Sequence, residues 1–263
     1  MIPAISNFVT LEQFYRVGLT IGQAVSVIHN PKARIPAYQL ELNFGEDLSR
    51  EHKALCGKDR YISSAQLCSN HKIDEISQQL LLCVYNFPRK QIGKMMSDCL
   101  VTGVQKQLAT PDERRETTVF ITPSCQVPLG STMTLLGEIG YYSSNPRDLS
   151  WEDFTQFDFR IGTVVSPSRP LREPISEDID PVIPKHMQID LGDEGIHEAV
   201  GFLRNELAQC ELVGHQVMVL TNLLSSEISE VLGDVSATAV ICTIAGRALL
   251  QPARQVENGF KLA

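Results

Sequence analysis

Apolar and polar residues alternate with a period of two over short stretches, each closed by glycine, proline or a polar cluster, the pattern of half-buried strands. Phe14, Val17, Leu19 and Ile21 end at Gly22, and Tyr38, Leu40, Leu42 and Phe44 end at Gly45. The apolar run 80–85 leads into Asn86-Phe87-Pro88-Arg89-Lys90-Gln91-Ile92-Gly93-Lys94, and a second run, 99–104, follows. This predicts a strand, a proline-stopped polar surface loop and another strand. Residues 72–79 are polar and predict a short helix. Residues 46–60 are charged, show no period and read as an exposed loop.

The same order returns in the second half. Adding 140 to the first set gives Phe154, Phe157, Phe159, Ile161 and Gly162, and adding 147 to Tyr38–Gly45 gives the stretch 185–192, again closed by glycine. Pro123, Val127 and Gly130 recur as Pro252, Val256 and Gly259 at an offset of 129. The polar loop has a paler copy, Asn222-Leu223-Leu224-Ser225-Ser226-Glu227-Ile228, between the runs 216–221 and 237–244. Shared order with drifting offsets predicts a tandem duplication with loop insertions. Residues 205–213 stand where 72–79 stood, and a proline-rich acidic insertion, 169–184, has no counterpart in the first half. Each half then reads as five short strands with a helical insert between the third and fourth, the element order of an OB barrel, although order alone also fits other small Greek-key barrels. Residues 137–149 have the composition of a linker, which gives domains 1–136 and 150–263. Trp151, the single tryptophan, is expected to cover the base of the second barrel.

A length of 263 residues suits two domains of this kind. No apolar run nears the roughly 20 residues that span a bilayer, and residues 1–16 resemble neither a signal peptide nor a transit peptide. A cytoplasmic protein without membrane insertion is the expectation. The seven cysteines are odd in number, without a C-x-x-C pair, and read as reduced thiols. The six histidines lack metal-ligand spacing, and no nucleophile elbow or phosphate-cradling glycine loop is present. No catalysis, metal or cofactor is expected. The net charge of −8 divides unevenly: residues 1–140 hold 14 Lys/Arg and 13 Asp/Glu, residues 141–263 hold 9 and 18. Only the first half could hold a phosphate backbone.

The strings NPKARIPAY, LNFG, ISSAQL and NFPRKQIGKMMSDCLVTG, with the closing VPLG, resemble the CsaA family of secretion-related chaperones, a branch of the OB-fold tRNA-binding domains. The likeness runs from about Phe14 to Met133. The second half, with FDFRIGTVV, IDLG, TNLLSSEI and VSATAVI, is similar only to the wider tRNA-binding domain. Since CsaA proteins are homodimers, the resemblance implies two OB barrels forming a pseudo-dimer within one monomeric, all-β chain, with residues 117–133 and 249–263 carrying the association. The family pattern has a second proline where Arg89 stands and an arginine where Lys90 stands, and the second half lacks the Pro-Ala-Tyr and Ser-Ser-Ala-Gln patterns.

Ser63, Ser64 and Gln66 alternate with apolar residues and offer hydroxyl and amide groups along a barrel rim, for a ligand or for neighbouring strand ends. Pro36 and Tyr38 open the second strand. Asn86 can cap the turn before Pro88, and Phe87 becomes Leu223 in the copy. Arg89, Lys90, Gln91 and Lys94 have no counterparts of like chemistry and are the expected binding surface. Taken with the resemblance, these residues imply non-catalytic binding of extended or unfolded polypeptide, chaperone-like or export-related. A tRNA-binding role through the first half and a ligand-free assembly module are the alternatives.

Overall fold

The computed structural model describes residues 8–92, 94–107, 109–137, 150–171, 181–204, 207 and 212–262. The first half opens with one helical turn, α1 (Leu11–Tyr15), started by a capping box in which Thr10 accepts from the Gln13 amide and Gln13 returns the bond. Phe14 and Val17, expected in a strand, therefore belong to this turn and the bend after it. The strand proper, β1 (Leu19–His29), begins at Leu19. A bulge between Ala24 and Ser26 bends it, so that its far part pairs with β2 (Tyr38–Asn43) and its near part with a later strand.

Residues 46–60, expected as a loop, contain α2 (Glu46–Cys56). Glu46 and Asp47 lie at its positive end, Lys53 in its last turn, and Gly57 closes it in the left-handed conformation at φ 73°. Its period was hidden because its one buried residue is a histidine. His52 stacks on Tyr61 at 3.8 Å between ring centroids. Then follow β3 (Tyr61–Ala65), the expected short helix α3 (Ile73–Ile76) and the buried β4 (Leu80–Val84). The polar loop is a small hairpin, β5 (Lys90–Ile92) with β6 (Met95–Ser97), and the apolar run after it is split into β7 (Leu100–Val101) and β8 (Gly103–Gln105). The sheet order β3-β2-β1-β4-β7 is a barrel lacking only direct pairing of its edges. α4 (Pro111–Thr117), β9 (Val119–Pro123) and β10 (Met133–Thr134) complete the half.

The second half repeats the opening. α5 (Trp151–Thr155) is capped by Ser150, and Phe154 lies in this turn as Phe14 does in α1. It continues with β11 (Phe159–Val164), β12 (Arg169–Pro170), β13 (Val182–Asp190), β14 (Ile196–Arg204) and β15 (Gln216–Leu220). The corresponding loop of the second half contains α6 (Ser225–Leu232), before β16 (Ala239–Ile241), β17 (Thr243–Ile244), β18 (Ala248–Pro252) and β19 (Lys261–Leu262). β11 pairs with β13, β13 with β14, β14 with β16 in parallel, β16 with β15 and β15 with β11. That ring is closed. The chain thus carries two OB barrels. Of the expected linker 137–149 only Gly137 is described; residues 172–180 of the insertion and most of 205–213 also lie outside the described residues. No described helix is long and apolar enough to cross a membrane.

Two devices occur in both halves. Asn86 accepts from the Gly18 amide at 2.7 Å and donates to the Arg16 carbonyl at 2.8 Å; Asn222 accepts from Asp158 at 2.9 Å and donates to Gln156 at 2.7 Å. Each asparagine ties the loop after a central strand to the start of the first strand. Gly130 and Gly259 have φ of 79° and 87°, and a Cβ on either would stand 2.7 or 2.8 Å from the carbonyl oxygen of Phe44 or Leu191. Only glycine fits that approach.

The two barrels are joined by backbone. β9 pairs antiparallel with β18, Ile121 opposite Pro252 and Pro123 opposite Leu250. Since residue 121 corresponds to 250 and 123 to 252 at the offset of 129, the register is self-complementary, as across a two-fold axis. Flanking this pair, β10 meets β17 and β19 meets β8. Residues 117–133 and 249–263 thus join the halves as expected. One core cluster runs through both, from Phe14, Leu19 and Ile121 to Phe159, Leu220 and Leu250. On the rim Arg254 bonds Glu75 at 3.0 Å and approaches His71 Nδ1 at 3.3 Å. His71 is 4% exposed, and burial, with the Arg254 charge, holds its imidazole down at about 4.

Replacing Asn86 or Asn222 by alanine strands two backbone groups at each site, and each change is expected to cost about 2–4 kcal/mol in urea unfolding. His71 gives a pH signature. Above pH 6.5 neither the folded nor the unfolded imidazole is charged; as pH falls from 6.5 towards 4 the unfolded chain takes up a proton that the folded chain refuses. Stability is expected to fall by up to about 1.4 kcal/mol per pH unit across that window, and His71→Gln to flatten the difference.

Candidate functional site

Where the edge strands of the first barrel do not pair with each other, one residue bridges to β3 with both its backbone and its side chain. Asp98 follows β6, and its backbone N–H donates to the Ile62 carbonyl at 2.7 Å while its carboxylate accepts from the Ile62 N–H at 3.1 Å. The Ser97 hydroxyl accepts from the Ser64 N–H at 3.2 Å. The Asp98 carboxylate is fully buried and is neutralised by Arg89 Nε at 2.6 Å, with Lys58 Nζ at 3.9 Å. His52 Nε2 lies 3.7 Å away, but burial lowers the imidazole below its usual value against the pull of Asp98, so Arg89 is the close cation. A buried carboxylate needs such a partner. Arg89, expected on the binding surface, therefore serves the barrel.

Above this seam a cleft of about 550 Å³ opens between β3, the hairpin, the strands after it and the helix of the other half. Four expected residues meet there: Ser64, Gln66, Lys90 and Gln91. Ser64 Oγ is oriented by Asn30, whose amide donates to it at 3.1 Å. Gln66 is exposed, and its side-chain amide is engaged by no described residue. Ile92, Leu100 and Val101 supply an apolar side, and Gln105 and Thr118 a polar one. Trp151 and Phe154 form the remaining wall, with Phe87 behind them at 6.2 and 6.0 Å. Lys90 Nζ stands 4.4 Å above the Trp151 ring, in cation–π range. It is the one charged side chain among the described lining residues.

Other expected residues serve elsewhere. Tyr38 is 4% exposed and donates its hydroxyl to the His71 carbonyl at 2.9 Å. Ser63 is fully buried, Asn86 is committed to Gly18 and Arg16, and Phe87 packs in the shared core. The alternation of β3 sends Ser63 inward and Ser64 outward. Pro36 and Lys94 are exposed outside the cleft lining. Asn30 and Asp98 carry no signal of their own in the sequence, and Trp151 and Phe154 are not expected at this site; Trp151, besides packing against the shared core, lines the first barrel's cleft. A depression of about 610 Å³ beside α2 holds none of the expected residues, and two of its charges, Lys53 and Asp59, pair with each other at 3.0 Å.

The second barrel is filled where the first is open. Tyr38 faces Ala65 across the β2–β3 ladder, and Lys185 faces Gly201 across β13–β14, so Ser64 corresponds to Val200 and Gln66 to Phe202. Both are buried in the shared core. Backbone presses on this position: a Cβ at Gly137 would stand 2.5 Å from the Phe202 ring.

Asp98→Ala removes the acceptor of Ile62 and the partner of Arg89 together. It is expected to destabilise the first barrel by about 3–5 kcal/mol in chemical denaturation. Arg89→Met, which leaves Lys58 as the nearest remaining cation beside the Ile62 N–H, is expected to destabilise in the same direction but less, by about 1–3 kcal/mol, because Arg89 is itself half exposed.

No family model matches the chain. A methionine–tRNA ligase of Methanococcoides burtonii is 31% identical over 111 residues, 42% of this chain; the chain spans only 15% of the ligase's length. Among solved structures, the chaperone CsaA of Bacillus anthracis is 26% identical with a TM-score of 0.38, covering 48% of this chain and 98% of that one. CsaA of Picrophilus torridus is 28% identical with a TM-score of 0.36, covering 46% and 94%. The C-terminal domain of Plasmodium vivax p43 is 13% identical with a TM-score of 0.43, covering 70% and 92%. In its motifs, its barrel order and the stretch shared with the ligase, the chain is similar to the tRNA-binding OB-fold domains and their CsaA-type branch.

Proposed function

We propose that the first barrel binds an extended polypeptide segment in the cleft beside Gln66 and Trp151, without chemistry, in a chaperone-like role, and that the two halves descend from one duplicated OB unit. The observation that carries the binding reading is the make-up of the cleft. Apolar walls from Ile92, Leu100, Trp151 and Phe154 face the uncommitted amides of Gln66 and Gln105, with one ammonium. Such a surface suits side chains and main-chain groups of an extended peptide. A phosphate backbone calls for several clustered cations, and here Arg89 is bound to Asp98 and Lys90 rests on Trp151.

A second reading is tRNA binding. It is favoured by the stretch shared with the ligase and by the exposed Lys32, Arg34 and Lys94; the loop holding the first two adjoins the hairpin, since Asn30 approaches Met95 Sδ at 3.9 Å.

Trp151 is the single tryptophan and lies in the cleft, so its fluorescence reports occupancy. Titration with reduced, carboxymethylated ribonuclease A, an unfolded chain without tryptophan, is expected to change its emission saturably, and the change should survive about 0.5 M NaCl, where exposed charges are screened. Gln66→Phe, which copies the residue at the corresponding position of the second barrel, should abolish it. Unchanged emission, together with tRNA retardation that vanishes at high salt and in Lys32→Glu/Lys94→Glu, would replace this reading by the second.

A further inference from the structure

Lys90 is the one cation of the cleft, and no carboxylate stands among its described lining residues. The nearest acid along the hairpin, Asp98, is already held by Arg89 and the Ile62 amide. The Lys90 ammonium instead lies over the face of Trp151, at 4.4 Å, the one indole ring of the cleft. A positive site without its own counter-ion, laid over an aromatic wall, is matched by a negative charge beside a large apolar side chain. Resting on the polypeptide reading above, we infer that the cleft selects segments in which an Asp or Glu side chain adjoins a bulky apolar residue, and that Lys90 determines this selection.

The two contacts are linked. When Lys90 turns to the carboxylate of a ligand it leaves the ring, and the face it covered, continuous with Phe154 and Leu100, receives the neighbouring apolar side chain. A neutral segment must displace Lys90 into water without giving it a new partner. A segment bearing lysine meets a like charge, which disfavours the wrong partner as well as favouring the right one.

The test uses the full chain and three peptides of equal length in a Gly-Ser frame, carrying repeated Asp-Phe, Asn-Phe or Lys-Phe, with binding followed by Trp151 emission and by calorimetry. The Asp-Phe peptide is expected to bind about fivefold tighter than Asn-Phe, and Asn-Phe tighter than Lys-Phe, at about 0.1 M salt. Lys90→Met should level the three affinities, its fold being checked by circular dichroism. Equal affinities in the unaltered chain, or a preference that persists in Lys90→Met, would overturn the inference and leave the polypeptide reading standing. Failure of all three to bind would overturn both. Displacement of the Asp-Phe peptide by stoichiometric tRNA would assign Lys90 to phosphate and likewise overturn it.

Discussion

The antiparallel pairing of β9 with β18, flanked by β10 with β17 and β19 with β8, binds the two barrels into one body. Each of these segments would otherwise be an exposed edge with unpaired amides and carbonyls. Joined, they carry apolar faces into a single core to which both halves contribute Phe14, Ile121, Phe159 and Leu250. The placement of α5 follows from this docking. Its Trp151 and Phe154 come from the second half yet wall the cleft of the first.

Much of this architecture can be read along the chain because its signals are local. Period-two alternation marks β2 and β13, glycines with positive φ close the turns at Gly130 and Gly259, and matched offsets show which segments correspond. The helix α2 was hidden because its buried face is a stacked histidine, which adds no apolar period to a charged stretch. Phe14 and Val17 mimic strand alternation because a single helical turn is too short to display a period of 3.6.

The site was legible only in part, for a related reason. A sequence shows which residues a loop contains but not which of its charges has a partner elsewhere. Arg89, Lys90 and Lys94 look alike in one dimension, yet Arg89 is fixed by Asp98, Lys90 lies on Trp151 from the other half, and Lys94 is exposed with no ion pair to a described residue. Serines 63 and 64 are likewise adjacent and chemically equal, and the pleat sends one into the barrel and the other to the cleft. Asn86 gave the clearest signal, because Asn222 keeps the same two bonds in a half that shares little else of the loop.

Because both barrels lie on one polypeptide, Gln66 and Phe202 are encoded separately although they occupy corresponding positions. In a symmetric homodimer a substitution at either place would appear in both clefts. Here one position is filled with a ring buried in the core while the other keeps an exposed amide on the cleft. Core packing and cleft chemistry are thereby freed from a shared compromise, and each half can change towards one of them without the other following.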